Sequence, residues 1–320
     1  MSIIATGIVT AFGAYYLEEG QNMDRLKDAL RQKSVTPEVC VPIITESDVY
    51  RSANVSLGEI VQGFQKGFTP KGDVTFTPNE IRLRNIKADI TIDPDDVKGK
   101  WLGFLASLTE ADRTQWPIVR YILEKHIATR IPHDMETAAY FKGVYAAPTT
   151  GTAGAASASL DGLKKLIDDG LTAGTVQALT LSAAPSASNI FDIIEEVADD
   201  VLTANPALEG IPMNVCVSPS WMRAYFRDKR NTHGADTNYT GTGMESIDFT
   251  PNFKLVALPS MEGTNYIFAT PADNMVHLRK VNGMTTPNVQ LFDRQVKVLL
   301  DWYEGIGFNH NELVFAYKPA

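Results

Sequence analysis

Residues 44–92 constrain this chain more than any other stretch. A polar extended segment, 45–55, leads into glycines at Gly58, Gly63, Gly67 and Gly72. The chain returns through 73–77 and then 80–92, where Ile81, Leu83, Ile86, Ala88, Ile90 and Ile92 run close to period two. The slip between Leu83 and Ile86 predicts a bulge. The pattern is that of a long two-stranded hairpin with a glycine-spaced, flexible tip. Two strands alone are marginal in water, so such a hairpin must pack on the body of the protein or lie across another chain.

The N-terminus raises the same question. Residues 1–17 are mostly apolar, and no basic residue precedes Arg25. A secretory signal needs a positive leading region, so none is expected. The run is also shorter than the roughly 20 apolar residues of a membrane span, and it carries Thr and Gly. An apolar terminus must pack on its own domain or reach a neighbouring subunit. The chain of 320 residues is long enough for about two domains at roughly 150 residues each. With 44% apolar and 21% charged residues it can bury a substantial core. Its net charge of −9 argues against a dedicated nucleic-acid reader, leaving only weak contact through a locally basic face. Cys40 and Cys216 form no CxxC, so neither a disulfide framework nor a zinc module is expected. Cys216, in the apolar run 213–217, reads as a small buried hydrophobe in a reducing compartment.

Elsewhere the pattern is α+β. Met23, Leu26 and Leu30 mark a short amphipathic helix over 23–33, too short to stand alone. Asp93-Pro94-Asp95-Asp96 reads as a solvated turn. Residues 113–143 form the longest helical region, with Pro117 in its first turn and Ile118, Ile122, Leu123, Ile127 and Ile131 on one face. Pro132 should break or kink it, Asp134 could cap a second piece, and Gly143 could close it. A small-residue linker at 148–159 marks a boundary. Helices are then expected at 160–169, ending at Gly170, at 189–204, and from Pro219 to 230 behind a Ser218 cap. Strands are expected at 213–217, 253–258, 265–269, 275–279, 289–292, 295–302 and 312–317, with a long exposed loop at 231–243.

No catalytic motif stands out in the sequence. The sequence lacks HExxH, GxSxG and GxxxxGK[ST] motifs, and its short Gly clusters at 151–154 and 241–243 do not continue into a phosphate cradle. His126, His133, His233, His277 and His310 show no ligand spacing and read as ordinary core or surface residues. The acidic pairs 168/169, 195/196 and 199/200 lie on solvated helix faces, not across a cleft. No catalytic residue, cofactor site or metal site is expected. The basic cluster Arg227, Lys229, Arg230 and His233 lies at a helix C-terminus, where the dipole favours cations. Subunit contact and DNA contact are the other readings of it. Trp101, Trp116, Trp221 and Trp302 read as core or interface anchors.

The order of elements resembles the major capsid protein of tailed phages, the Hong Kong 97-type fold. The stretches that carry the resemblance are 189–197, 214–222, 253–276 and 295–308. It implies an α+β capsid fold with an N-terminal arm (1–43), an extended hairpin loop (44–92), a peripheral domain (93–149 and 287–320) holding a long spine helix (113–143), and an axial domain (150–286). By the same resemblance the chain is not an enzyme. It would self-assemble into pentamers and hexamers of an icosahedral head shell around double-stranded DNA. The hairpin would lie over the adjacent subunit, and Phe64, Lys66, Phe68, Lys71, Arg227, Lys229 and Arg230 are the candidate intersubunit contacts. Implied partners are further copies of itself, a portal, a separate scaffolding protein, a possible decoration protein and packaged DNA held non-specifically, with no membrane. Only residues 1–43 precede the hairpin, so an attached scaffolding segment is not expected. The implied location is the virion capsid, assembled in the host cytoplasm. The family's lysine crosslink is not carried over to Lys66 or Lys71. The alternative within the same fold is the shell of an encapsulin-type cellular compartment.

Overall fold

The computed structural model describes residues 32–106, 121–233, 246–248, 250–280, 288–292 and 295–319. The chain divides into two compact units. The first gathers Met1–Ser34, Ile86–Glu136 and Gly283–Trp302; the second gathers Val35–Asn85, Thr137–Asn282 and Tyr303–Ala320. The expected apolar arm, most of the helix at 23–33, residues 113–120 and most of the loop at 231–243 lie outside the described residues.

The second unit is built on two sheets. In one, β1 (Val41–Thr45) runs parallel to β10 (Met275–Lys280), which pairs antiparallel with the end of β12 (Gln295–Phe308). The other has the order β5-β13-β9-β6-β8-β7, from β5 (Gln177–Ala178), β13 (Phe315–Tyr317), β9 (Ile267–Pro271), β6 (Met213–Val217), β8 (Thr250–Ala257) and β7 (Ser246–Ile247). Strands β6 and β8 are parallel, and the helix Pro219–His233 lies between them in sequence, as a crossover requires. Strand β6 is central, and four of its five residues are buried. That explains its unbroken apolar run where an alternating one would mark a half-exposed strand.

The helix Ile190–Ala204 supplies the rest of this core. Its Ile190, Ile194, Val197 and Val201 recur at helical spacing and pack with Val215, Phe253, Leu255, Ile267 and Phe315. The helix Pro219–His233 begins as its sequence implies: Ser218 Oγ accepts from the Trp221 backbone N–H at 3.3 Å, with Pro219 in the first position. Its buried Asp228 accepts from the Phe191 N–H at 3.0 Å, satisfying a free donor in the first turn of the neighbouring helix.

The first unit is smaller. The described residues contain a helix, Pro94–Ala106, strand β11 (Asn288–Phe292) paired antiparallel with the start of β12, and strand β4 (Arg84–Ile92), which runs beside β12. Phe104, Tyr121, Ile127, Val296 and Val298 are its buried core, with the Phe104 and Tyr121 rings 4.9 Å apart.

Several expectations are corrected. Asp93-Pro94-Asp95-Asp96 does not form a turn: Pro94 opens the helix Pro94–Ala106, a position that needs no N–H. Pro132 does not break its helix. The run is continuous from residue 121 to 139, with wide π-type turns at Ile122–Ile127 and Met135–Ala139 on either side of the regular piece Ala128–Asp134. Those wide turns accommodate a ring that cannot donate. Asp134 is not a cap; it pairs with Arg130 one turn back at 2.8 Å. The helix expected to stop at Gly170 runs Leu163–Ala173 and ends at Gly174, whose φ of 72° needs a glycine. Gly170 instead permits close packing, since a Cβ there would sit 2.4 Å from Val176 Cγ2. Strand β12 extends past the expected Trp302 to Phe308, because Gly305 and Gly307 do not end it. A Cβ at Gly307 would sit 2.8 Å from Ile81 Cδ1.

A polar cluster ties the end of the chain to the helix Leu163–Ala173. Asp168 accepts from Lys164 at 2.7 Å and from the Tyr266 hydroxyl at 2.8 Å, and it pairs with Lys318 at 2.9 Å. Burial raises its carboxyl pKa, but the bonds from Lys164, Lys318 and Tyr266 outweigh this and leave it below the ordinary Asp value. A depressed folded-state pKa stabilises the fold above the unfolded pKa, and that gain fades as the pH falls through the folded one. Asp168→Asn will therefore melt at lower temperature than the wild type at neutral pH. The gap will close on acidification through the carboxylate range, as circular-dichroism melts in a pH series can show.

Candidate functional site

The hairpin expected from the glycine tract is present and well defined. Strands β2 (Val49–Leu57) and β3 (Val74–Arg82) pair antiparallel from Val49↔Arg82 to Leu57↔Val74. At about 3.4 Å per residue, a nine-residue strand spans about 30 Å. The expected bulge is instead a strand break: the hairpin ends at Arg82, Leu83 donates its N–H to the Asp48 carbonyl at 2.9 Å, and residues 84–92 leave the hairpin as β4 to pair with β12.

Period two divides the hairpin into faces, and its root sits on one of them. Tyr50, Ser52, Asn79 and Ile81 share a side and meet the rest of the second unit. Ile81 is buried against Gly307, and Ile81 and Tyr50 pack with Leu83, Val276 and Leu278. Ser52 Oγ donates to the Asn309 carbonyl at 2.6 Å, and Asn79 Nδ2 donates to the Phe308 carbonyl at 2.6 Å. Asp48 pairs with Lys280 at 2.6 Å.

The opposite face looks outward and changes character along its length. Near the root it carries Arg51, Glu80 and Arg82, with Arg51 Nε 2.9 Å from Glu80. Towards the tip it carries Leu57, Val74 and Phe76, each more than half exposed. The tip adds Ile60, Val61, Phe64 and Phe68, and the two phenylalanines are 96% and 95% exposed. Isolated exposed apolar residues are ordinary, but a contiguous set on a projecting element marks a contact surface.

The tip holds its own shape. Lys71 Nζ donates to the Val61 carbonyl at 2.6 Å and pairs with Glu59 at 3.0 Å. Gln62 Nε2 donates to the Thr69 carbonyl at 2.8 Å. Gly67 and Gly72 take φ of 119° and 90°, so two of the four glycines are there for turn geometry. Of the candidate contacts here, Phe64, Phe68 and Lys66 are exposed, while Lys71 is engaged in closing the tip.

The basic cluster is separated by the fold. Arg227 and Arg230 are exposed. Lys229 turns inward to Asp248 at 2.6 Å, and its ammonium lies 5.8 Å from the centre of the Phe191 ring. No catalytic constellation forms among the described residues. They hold no group of three or more His, Cys, Asp or Glu able to bind a metal, and no helix long and apolar enough to cross a membrane. A cavity in the second unit, about 220 Å³, is lined by residues that include Asn79, Glu80, Asp169 and Asn311. Its two carboxylates are taken by Arg51 and by Lys165. Cys216 is fully buried, and burial pushes its thiol far above the ordinary value, which makes it inert.

One group had no signal in the sequence. His277 Nε2 lies 2.5 Å from Glu304 Oε1, and the Tyr140 hydroxyl donates to the same oxygen at 2.8 Å. All three residues are buried, and the Tyr140 and His277 rings meet edge-on at 6.0 Å.

No family model matches the sequence, and no curated protein does. Solved structures do. The fold resembles a chain in the capsid of a native GTA particle with a TM-score of 0.60 at 11% identity, over 91% of each chain. It resembles a chain in the satellite phage P4 procapsid that includes the size determination (Sid) protein, with a TM-score of 0.58 at 11% identity, over 99% of this chain and 92% of that one. The capsid of Myoviridae phage XM1 follows, with a TM-score of 0.53 at 12% identity, over 90% of each. The chain has an α+β capsid fold. At these identities the likeness is one of fold, and it extends over nearly all of both partners in each comparison.

Proposed function

We propose that this chain is the major capsid protein of a tailed bacterial virus. It assembles as pentamers and hexamers into an icosahedral head shell around double-stranded DNA. The observation that carries the reading is the hairpin: docked at its root, apolar and exposed over the distal part of its outward face and its tip, and so built to cover a neighbouring copy. The capsid likeness over nine-tenths of the chain supports it.

In this reading residues 44–92 are the extended loop and 113–143 the spine helix. Residues 93–149 with 287–320 form the peripheral domain, 150–286 the axial domain and 1–43 the arm. A shell needs no catalytic group. It needs modest, mutually lapping contacts repeated around closed symmetry. A portal, a separate scaffolding protein and a decoration protein complete the expected partners, and the finished protein belongs to the virion, after assembly in the host cytoplasm.

The test is direct. Expressed alone or with its scaffolding protein, the chain should sediment as capsomers and closed particles, visible by negative-stain electron microscopy. A chain that stays monomeric across micromolar to millimolar concentrations overturns the reading. Nucleic-acid analysis of particles from infected cells should find DNA. A lumen filled with a cargo protein would assign the same shell to a cellular compartment.

A further inference from the structure

Two charged stripes of opposite sign lie on neighbouring helices of the second unit. On Pro219–His233, Arg223, Arg227 and Arg230 recur at i, i+4 and i+7 on the exposed face. On Ile190–Ala204, Asp192, Glu196 and Asp199 recur at the same spacing, with Asp200 beside them. Elsewhere the chain pairs such charges within a helix, as in Lys164–Asp168, Lys165–Asp169 and Arg130–Asp134. Here it does not. Ile190–Ala204 contains no Lys or Arg, and the one acid of Pro219–His233, Asp228, is buried on Phe191. None of Arg223, Arg227, Arg230, Asp192 and Asp199 makes an ion pair among the described residues, and Glu196 accepts only from Ser182. The Asp200 carboxyl is raised by burial and then by Glu196 and Asp199, the sign of like charges gathered without a cation.

We propose that the arginine stripe of one copy docks on the acidic stripe of the next. This rests on the shell reading and names one of its contacts. A second copy is the occupant because it alone satisfies both stripes at once. Three charges from i to i+7 span about 10 Å on either helix, so the two stripes match in length as well as sign. DNA would neutralise the arginines and leave the acids unmatched. The stripes are also presented at a fixed mutual angle. The two helices are joined by the buried Asp228–Phe191 bond and by the Phe191 and Tyr225 rings, 5.4 Å apart. Complementary charge steers encounter and penalises wrong partners, which suits a contact that must form repeatedly in one register.

The test is a charge swap in the full chain. One variant carries Arg223→Glu, Arg227→Glu and Arg230→Glu; a second carries Asp192→Lys, Glu196→Lys and Asp199→Lys; a third carries all six. Each single-stripe variant should fold, by circular dichroism, yet lose about tenfold or more of its self-association in sedimentation at 0.1 M salt. The six-fold variant should recover it. An equimolar mixture of the two single-stripe variants should associate where neither does alone, a readout that needs no shell. Single-stripe variants that associate like the wild type overturn the proposal, and so does a mixture that stays apart. An arginine variant that forms normal particles but fails to retain DNA also overturns it, in favour of a phosphate-facing surface. A wild type that never closes shells, with a mixture that still associates, leaves this contact standing and removes the shell reading instead.

Discussion

Deleting residues 60–72 will yield a folded chain that no longer closes shells. The deletion removes Ile60, Val61, Phe64 and Phe68, and the ends it joins already meet, since Gly58 donates its N–H to the Asp73 carbonyl at 3.1 Å. The root keeps every anchor described above: Ile81 on Gly307, Ser52 on Asn309, Asn79 on Phe308 and Asp48 on Lys280. Melting temperature should therefore stay within a few degrees of the wild type. Assembly should not survive. Burying each lost side chain on a neighbour contributes about 1.5–3 kcal/mol before the costs of association. Even a net loss of about 3 kcal/mol per contact raises the concentration needed for assembly roughly a hundredfold. The milder Phe64→Ser/Phe68→Ser variant should fall between the two, with capsomers and few closed particles. Normal particles from the deletion, seen by electron microscopy, would remove the lapping role assigned to the hairpin.

That hairpin was legible because its signals are local. The glycines at 58, 63, 67 and 72 and the polar extended run before them are properties of neighbouring residues. The alternation at 81–92 was legible too, but its break marks the point where the chain leaves the hairpin at Leu83 and β4 joins β12, not a bulge within one strand. The helix Ile190–Ala204 and the strand Met213–Val217 were legible for the same reason. The boundaries set by glycine were not. A glycine that ends a helix and one that lets another side chain come close look alike in sequence, so Gly170 read as a stop when it permits close approach to Val176. The basic cluster was legible as a cluster but not as a surface. Only the position of Asp248 shows that Lys229 turns inward while Arg227 and Arg230 stay exposed. Arg223, seven residues before Arg230, joins them only once the helix face is known. The buried trio of Tyr140, His277 and Glu304 was beyond reach, because 164 residues separate the Tyr140–Glu304 pair.

That trio sets the second large effect: Glu304→Ala will be among the most destabilising single changes in the second unit. His277 on β10 lies opposite Ile306 and Glu304 opposite Arg279, so the two side chains are diagonal neighbours on one face of the strand pair. Removing the carboxylate takes away the acceptor that the His277 ring nitrogen and the Tyr140 hydroxyl share, among residues that are all buried. Breaking one member of a buried polar pair typically costs about 3–5 kcal/mol, a large part of the stability of an ordinary domain. The melting temperature should fall by about 10 °C or more. Glu304→Gln keeps an acceptor for Tyr140 in nearly the same volume and should recover at least half of the loss. Tyr140→Phe removes only one donor and should cost about 1 kcal/mol. The decisive comparison is the apolar replacement of all three, Tyr140→Phe with His277→Phe and Glu304→Leu. If the cost of Glu304→Ala comes from unpaired polar atoms, this triple variant will melt above the single one despite carrying more changes. If it melts lower, the loss is one of packed volume, and the network holds no polar groups whose partners matter.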